Sequence, residues 1–317
     1  MPGQPLHTIQ TATARTGLSA HVIRVWERRY GAVTPERDGS DRRLYSEAEI
    51  DRLALLRDVT RAGHSIGTIA KLEAAQLEEL LAKSRHARSA EVSRAVDAGT
   101  EFRASCLDAI RRLDASALEQ ALARALITVG HQGLLQVVVA PLAEQVGELW
   151  REGSITAAHE HFFTASAKVF LGQLSKQYAP GAATPDLVVS TPAGQLHELG
   201  AFMAGVAATH LGWRVTYLGT GLPAAEIAGA ALQNNAAAVA LSIIYPEDDP
   251  NLPGELLNLR RYLAPATRIM VGGRAAPAYS ETLMRIGAIV VGSLTECCDA
   301  LDRARKETGF LTPASGS

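Results

Sequence analysis

The side chains with the clearest capacity for chemistry lie close together in a region otherwise rich in alanine and leucine. Nine residues separate Trp150 from Glu160, and His159 and His161 flank that glutamate. No nucleophile or carboxylate cluster accompanies them, so these residue types suggest ligand binding. A tryptophan at a helix end is usually a core or cap residue. Glu160 and His161, however, would be costly in an apolar bundle without partners.

A further imidazole, His197, lies in the loop TPAGQLHELG, three residues before Gly200. One histidine in a loop is usually a surface residue, although imidazole is also the commonest metal ligand. The role of His197 therefore depends on the elements that surround it.

Bulk properties describe a globular protein of several domains. The 317-residue chain is 47% hydrophobic and 20% charged, with a formal net charge of −2, and its length permits two or three cores. Cys106, Cys297 and Cys298 form neither a disulfide framework nor a zinc site, which fits a reducing cytosol. No signal pattern or uninterrupted apolar span of about 20 residues is present. We therefore expect a cytoplasmic protein with no membrane partner.

The N-terminal segment is basic and helical. A short helix from Ile9 is expected to end at Gly17, and Ser19 is expected to cap a second helix. Two short helices joined by a tight turn form a helix-turn-helix. The second helix and the following loop carry an excess of arginine that could face phosphates. The alternative is a solvated charged face on an ordinary helical domain.

This segment resembles the DNA-binding domain of MerR-type transcription regulators over about the first seventy residues. The similarity runs through VIRVWERRY, the wing DRRLY and the stretch AGHSIGTIAKL. The resemblance implies that the second helix enters the major groove of double-stranded operator DNA, that the wing grips the backbone, and that dimers bind paired half-sites. The residues expected to contact DNA are His21, Arg24, Arg28, Arg37, Arg42, Arg43 and Tyr45.

The rest of the chain predicts helices and then an alternating α/β domain. Apolar positions recur at helical spacing between 102 and 177 and predict a four-helix bundle. After Asp186, five apolar runs alternate with helical runs, which predicts a flavodoxin-like (Rossmann-like) parallel sheet. The expected fold is multidomain α and α/β. Its domains are a winged helix-turn-helix at 1–76, a helical linker at 77–101, a four-helix bundle at 102–180 and an α/β domain at 181–317.

Ligands of such sheets bind at the carboxyl ends of the strands. The loops there include QLHELG, SIIYPEDD and VGGRAAP. The sequence contains no GxGxxG, Walker lysine or aspartate cluster, which disfavours a nucleotide or response-regulator role. Instead, QLHELG, LSII and VGG resemble the cobalamin-binding domain shared by methionine synthase and the cobalamin-dependent mutases. That family shows Asp/Glu-x-His-x-x-Gly, then Ser-x-Leu, then Gly-Gly.

The resemblance implies cobalamin bound in the base-off/His-on form. His197 would be the lower axial cobalt ligand, in place of the vitamin's benzimidazole. The positions expected along the buried tail are Gly200, Ser242, Gly272 and Gly273. Two positions differ from the family pattern, because Gln195 replaces the acidic residue and Ile244 replaces the leucine. We expect Gln195 to accept a hydrogen bond from His197 without adding charge, which would weaken the cobalt–histidine bond.

A helical bundle that precedes such a domain covers the upper face of the corrin. The Trp–Glu–His spacing is similar to that of CarH-type photoreceptors, which are MerR-like regulators that use adenosylcobalamin. The resemblance implies that Trp150 fills the space above cobalt, that Glu160 binds the ribose or adenine, and that His161 lies beside them. A histidine that follows the tryptophan in some relatives is Arg151 here, so His159 and His161 are the alternatives for a light-state adduct.

The combined resemblance implies a cobalamin-dependent, light-responsive repressor with no enzymatic activity. In the dark, adenosylcobalamin would fix the bundle against the sheet, and homodimers or homotetramers would hold DNA through several wings. Light would cleave the cobalt–carbon bond and loosen the assembly. One alternative is a light-independent regulator that senses another tetrapyrrole or, as Gln195 favours, one that has lost cobalamin and acts only through a partner protein. The other is a corrinoid carrier subunit of a methyltransferase, which the helix-turn-helix opposes.

Overall fold

The computed structural model describes residues 6–175 and 184–307. The chain divides into two compact units, Met1–Arg94 and Ala95–Ser317.

The first unit combines short helices with a three-stranded antiparallel sheet. Its helices are α1 (Ile9–Thr16), α2 (Ala20–Val25), α3 (Glu47–Arg61) and α4 (Ile66–Ile69), and a π-helical turn, Trp26–Tyr30, continues α2. Its strands are β1 (Leu6–Thr8), β2 (Glu36–Arg37) and β3 (Arg43–Ser46), in the order β1-β3-β2. This arrangement confirms the winged helix-turn-helix.

Local capping explains where these helices begin and end. Gly17 closes α1 with a φ of 66°, a left-handed conformation that glycine adopts without a steric penalty. The Ser19 hydroxyl accepts a hydrogen bond from the Val22 N–H and opens α2. Ser46 and Glu49 form the expected capping box of α3. The sequence signals therefore placed all three boundaries correctly.

A 38-residue helix, α5 (Ala74–Arg111), begins in the first unit and ends in the second. It includes the whole of the segment 77–101 that we expected to be a helical linker. The other bundle helices are α6 (Ala115–Gly133), α7 (Ala140–Arg151) and α8 (Ala157–Ser175), with a π-helical segment, Leu134–Val139, before α7. The side chain of Asp114 caps α6, as the sequence suggested.

The stretch Ala115–Arg151 is long and apolar enough to cross a membrane by length and composition alone, which we did not expect. Within it, Leu118 and Leu122 are buried in the core that the bundle shares with the α/β domain. Gly130 interrupts the stretch, because its φ of 70° and ψ of 179° are not helical. We therefore assign these residues to the bundle.

The α/β domain contains five parallel strands in the order β5-β4-β6-β7-β8. The strands are β4 (Asp186–Ser190), β5 (Arg214–Tyr217), β6 (Ala238–Ser242), β7 (Arg268–Gly272) and β8 (Ile289–Val290). The helices are α9 (Leu199–His210), α10 (Ala224–Gln233), α11 (Leu252–Tyr262), α12 (Ser280–Arg285) and α13 (Leu294–Glu307). This is the flavodoxin-like order, and it confirms the predicted fold class.

Helix α9 joins the bundle to the sheet. Its residues Met203 and Val206 are buried in the core that also contains bundle residues Phe163 and Leu171. Its residue Ala201 is buried on the other side, in the core formed with the sheet. Because α9 is covered on both sides, it is apolar all round, as expected of an enclosed helix.

Candidate functional site

His197 lies in the loop between β4 and α9, at the carboxyl edge of the sheet. The strand order reverses between β4 and β6, and this crevice is where open α/β sheets bind ligands. The Nδ1 atom of His197 is buried and has no hydrogen-bond partner. The ring packs edge-on against Tyr245, with 6.1 Å between the centroids.

The surroundings of His197 fit a metal ion that is already bound by most of its ligands in a cofactor. Among the described residues, no group of three or more histidine, cysteine, aspartate or glutamate side chains could hold a metal ion. A metal at His197 would therefore have fewer than three such protein ligands, which fits a corrin because that group would supply its own nitrogen ligands. A buried imidazole nitrogen without a partner is rare, and metal binding would give this nitrogen a partner if the ring is held in place.

Gln195 provides that restraint through contacts that the sequence did not suggest. Its side chain is buried, and its Oε1 accepts hydrogen bonds from the backbone N–H groups of Ile244 at 2.8 Å and Tyr245 at 2.9 Å. Its Nε2 donates to the carbonyl of Pro246 at 3.1 Å. The expected hydrogen bond between Gln195 and His197 is therefore not formed. Instead, Gln195 ties the loop after β4 to the loop after β6.

The predicted small residues meet at the strand ends. Ser242 and Gly272 are register partners on β6 and β7. A Cβ atom on Gly200 would lie 2.9 Å from the Ser242 Oγ, and one on Gly273 would lie 2.3 Å from the Ile243 carbonyl oxygen. Gly273 also has a φ of 100°. Glycine is therefore required at 273, where the clash is with backbone, whereas a side chain at 200 would displace the Ser242 hydroxyl. These positions form one small-residue edge beside the His197 loop.

The bundle residues of interest lie at neighbouring helix ends. Trp150 is near the end of α7 and is 42% exposed, which is unusual for the largest side chain. Glu160 accepts hydrogen bonds from His161 Nδ1 at 2.5 Å and from the Thr164 hydroxyl at 3.0 Å. The polar pair that we noted in the sequence is thus a direct contact.

His159 is engaged elsewhere in the same region. Its Nδ1 accepts a hydrogen bond from the Thr156 N–H at 3.2 Å, and its Nε2 lies 3.3 Å from the carbonyl oxygen of Arg111. His159 therefore has a structural role at the start of α8. Within the described part of the chain, no hydrogen bond or ring contact joins Trp150 or His161 to His197.

Sequence analysis missed a polar cluster next to His197. Glu198 accepts hydrogen bonds from Lys168 on α8 and from the Tyr217 hydroxyl on β5. Burial alone would raise the pKa of Glu198, but these two hydrogen bonds outweigh it and the pKa is lowered. The pKa of Tyr217 is raised, first by burial and then by Glu198. The only sequence signal was the charge of Glu198 itself, since its partners are distant in the chain.

The expected DNA-contacting residues of the first unit divide into three groups. His21, Arg24 and Arg28 are exposed on and just after α2. Arg37 and Arg42 are also exposed, in the wing, and Arg37 forms an ion pair with Asp41 at 2.6 Å. These five side chains are accessible to a DNA backbone.

The other two wing residues have structural contacts. Arg43 Nε donates to both oxygens of Glu27, at 3.0 and 2.7 Å, and so ties the wing to the segment that follows α2. Tyr45 is fully buried with Ile23 and Leu53, and its hydroxyl has no hydrogen-bond partner. The expectation that Tyr45 contacts DNA is therefore wrong for this conformation, because its side chain faces inward from β3 and fills the core.

Comparisons with known proteins agree with this organisation. The family model of the MerR HTH family regulatory protein matches residues 7–76, and two B12 binding domain models match residues 103–175 and 185–302. The chain is 30% identical over 284 residues to the HTH-type transcriptional repressor CarH of Myxococcus xanthus, covering 90% of this chain and 94% of that protein. It is 26% identical over 281 residues to the repressor CarA of the same organism, covering 88% and 91%.

A solved structure shares the fold. The Methanosarcina barkeri monomethylamine corrinoid protein superposes with a TM-score of 0.51 at 14% identity. The match covers 65% of this chain and 98% of that chain.

Proposed function

The chain belongs to the family of the HTH-type transcriptional repressor CarH, and from this premise we propose that it is a light-responsive repressor whose DNA-bound form requires adenosylcobalamin. The MerR and B12-binding matches make it a cobalamin-dependent, DNA-binding transcription regulator, and its relatives are repressors rather than enzymes.

The observation that carries the proposal is the buried, unpartnered Nδ1 of His197 at the switch point of the sheet. In the base-off/His-on form, His197 would hold cobalt from below, and the edge formed by Gly200, Ser242, Gly272 and Gly273 would lie along the buried tail. When bound, adenosylcobalamin supplies a cobalt–carbon bond that light breaks. Gln195 fixes the start of the His197 loop against Tyr245 and so presents the imidazole in one place.

The bundle would cover the opposite face. The exposed indole of Trp150 offers a flat apolar surface, and Glu160 offers carboxylate oxygens for the hydroxyl or amino groups of the adenosyl group. His161 donates to Glu160 and orients it. Thr164 contacts the same carboxylate and keeps it on one face of α8. These residues discriminate an adenosyl-bearing corrin from one without that group.

The response of the protein to the ligand would be a change in the position of the bundle relative to the sheet. A ligand held by both the bundle and the sheet stabilises only the state in which the two are close, and its loss shifts the equilibrium. We propose that this state forms homodimers or homotetramers, which bind operator DNA through several wings at once.

The proposed domains are 1–76, 77–101, 102–180 and 181–317, in a cytoplasmic protein.

Light-dependent DNA binding tests the proposal. Protein reconstituted with adenosylcobalamin in the dark should retain a duplex that was selected with that protein, and green light should release it. Gel filtration in parallel should show a smaller species after illumination. DNA binding that is the same in darkness and light would contradict the light response while leaving the cobalamin dependence intact.

One observation favours a light-independent regulator as the second candidate. The side chain of Gln195 is hydrogen-bonded to the loop after β6, so it is not available as the acceptor that would hold and polarise the His197 ring. Without that acceptor the imidazole is a weaker metal ligand. An absorption spectrum that does not change on illumination, together with ligand-dependent DNA binding, would support this candidate.

A further inference from the structure

The charged cluster beside His197 connects three elements. Lys168 on α8 donates to one oxygen of Glu198, and the Tyr217 hydroxyl on β5 donates to the other. The side chains of Lys168 and Glu198 are 28% and 24% exposed, so both charges are largely removed from water. A charge that is largely removed from water is unfavourable unless it is paired. Removing one partner of such a pair leaves the other charge without compensation.

An aromatic pair fixes the geometry of this cluster. Phe202, one turn into α9, lies 5.8 Å from the Lys168 Nζ, measured to the ring centroid. The same ring packs edge-on against Tyr217, with 5.2 Å between the centroids. Lys168 therefore has a cation–π contact as well as an ion pair. The backbone N–H of Phe202 also bonds the Glu198 carbonyl at 2.9 Å, which joins the cluster to the start of α9.

His197 lies between two anchors of different kinds. On its N-terminal side, Gln195 fastens the loop to the loop after β6, within the sheet domain. On its C-terminal side, Glu198 fastens the loop to the bundle through Lys168. Adjacent Cα atoms are only about 3.8 Å apart, so a displacement of Glu198 moves the backbone of His197.

The same helix carries the other part of the proposed site. Lys168 follows Glu160 by eight residues in α8, which corresponds to about 12 Å along a helix axis. A helix of this length moves as a rigid element. A shift of α8 therefore displaces Glu160 and Lys168 together.

We propose that Glu198 is a positioning residue that, through Lys168 and Tyr217, couples metal ligation by His197 to the position of α8. This inference rests on the proposed function, because it assumes that His197 binds the cobalt of a corrinoid. Through these contacts, a movement of the bundle can displace His197 directly, without any contribution from contacts with the cofactor. Release of the Lys168–Glu198 contact loosens the His197 loop, and a displaced His197 loop strains that contact.

The test uses the full chain, produced with 15N-labelled histidine and loaded with cob(II)alamin. In its electron paramagnetic resonance spectrum a 15N-histidine ligand splits the cobalt lines into doublets, whereas the vitamin's own 14N benzimidazole splits them into triplets. In Lys168→Met the ratio of histidine-ligated to unligated cobalt should fall by at least about two- to fivefold, the range that corresponds to exposed ion pairs, because this pair is only partly exposed. Lys168→Arg, which can still pair with Glu198, should restore most of it. Lys306→Met is the matched control, since it removes an exposed lysine pair with Asp302 on α13.

Tyr217→Phe tests the coupling independently, through the contact between Glu198 and strand β5. It removes only the second hydrogen bond to Glu198 and keeps the aromatic contact. It should lower the coordinated fraction in the same direction, even if Lys168→Met does not fold. Wild-type nitrogen splitting in both variants would overturn the coupling. His197→Ala separates the two ideas. If the 15N-histidine doublet persists in that variant, His197 is not the cobalt ligand and the proposed site fails. If the doublet is lost there but the Lys168 and Tyr217 variants match the wild type, only the coupling fails.

Discussion

Gln195 accepts a hydrogen bond from the backbone N–H of Ile244 at 2.8 Å, and this bond joins the two loops that flank the switch point of the sheet. The amide group of Gln195 also donates to the Pro246 carbonyl at 3.1 Å. An ionised carboxylate could accept the first bond but could not donate the second. The neutral residue at this position is therefore matched to its contacts in this chain.

The contacts of Gln195 predict how the stability of the protein changes when this residue is replaced by the acidic residue of the cobalamin-binding pattern. Gln195→Glu should destabilise the protein by about 1–3 kcal/mol, because it leaves the Pro246 carbonyl facing a carboxylate in a buried place. The free energy of unfolding can be measured by chemical denaturation. Gln120→Glu, on the exposed face of α6, is the matched control and should be nearly neutral. Equal stability of the two variants would show that the Gln195 amide group is not needed as a donor.

The buried hydroxyl of Tyr45 leads to a prediction for the first unit. Because this hydroxyl has no partner in the core, Tyr45→Phe should leave the stability unchanged or raise it by about 1 kcal/mol. The affinity for DNA should be unchanged as well. Thermal melts and fluorescence anisotropy with a selected duplex measure these quantities, and a clear loss of DNA affinity would indicate that the ring turns outward to contact DNA.

The pairing of Glu27 with Arg43 predicts that removing the Glu27 charge weakens DNA binding, whereas net charge alone predicts stronger binding. Removing an acidic residue beside a DNA-binding helix should strengthen binding if only the net charge matters. We expect Glu27→Gln to weaken binding about fivefold, since it loosens the wing by about 1 kcal/mol. Glu36→Gln on the exposed β2 strand is the control for charge, and it should bind as well as the wild type or better. Tighter binding by Glu27→Gln would refute the positioning role.

His210 predicts how stability depends on pH. Burial lowers its pKa from the ordinary value of 6.5, and the nearby His131, with 4.6 Å between the ring centroids, lowers it further. The unfolded chain therefore binds a proton at a higher pH than the folded protein. The contribution to stability is complete above pH 6.5 and is lost as the pH falls below it, by at most about 1.4 kcal/mol per pH unit.

Replacement of this histidine should flatten that dependence. His210→Gln should show a smaller fall in the free energy of unfolding between neutral pH and pH 5.5 than the wild type does. His64→Gln, in the first unit, should keep the wild-type slope. Parallel curves for wild type and His210→Gln would exclude His210 as the source.

Local signals made much of the fold predictable. Gly17, Ser19 and Ser46 act within a few residues of themselves, so the sequence shows where those helices begin or end. The five strands are likewise short runs of β-branched residues bounded by turns. The fold class follows from the alternation of these runs with helices, because parallel strands need crossover connections.

The side-chain contacts of the site were not predictable in the same way. Gln195 meets Ile244 across 49 positions of sequence, and Lys168 meets Glu198 across 30. Such pairs depend on how the loops and the bundle pack. The inward orientation of Tyr45 was missed for a related reason, since a strand alternates its side chains and the sequence did not fix which face is covered.

The most direct test of the account compares His197→Ala with the wild type and with His64→Ala after loading with cobalamin in the dark. With 15N-labelled histidine, the account predicts that His197→Ala loses the 15N splitting of bound cob(II)alamin and binds the cofactor more weakly, while His64→Ala behaves as the wild type. If His197→Ala retains both the 15N-histidine splitting and the wild-type affinity, His197 is not the cobalt ligand and the account is contradicted.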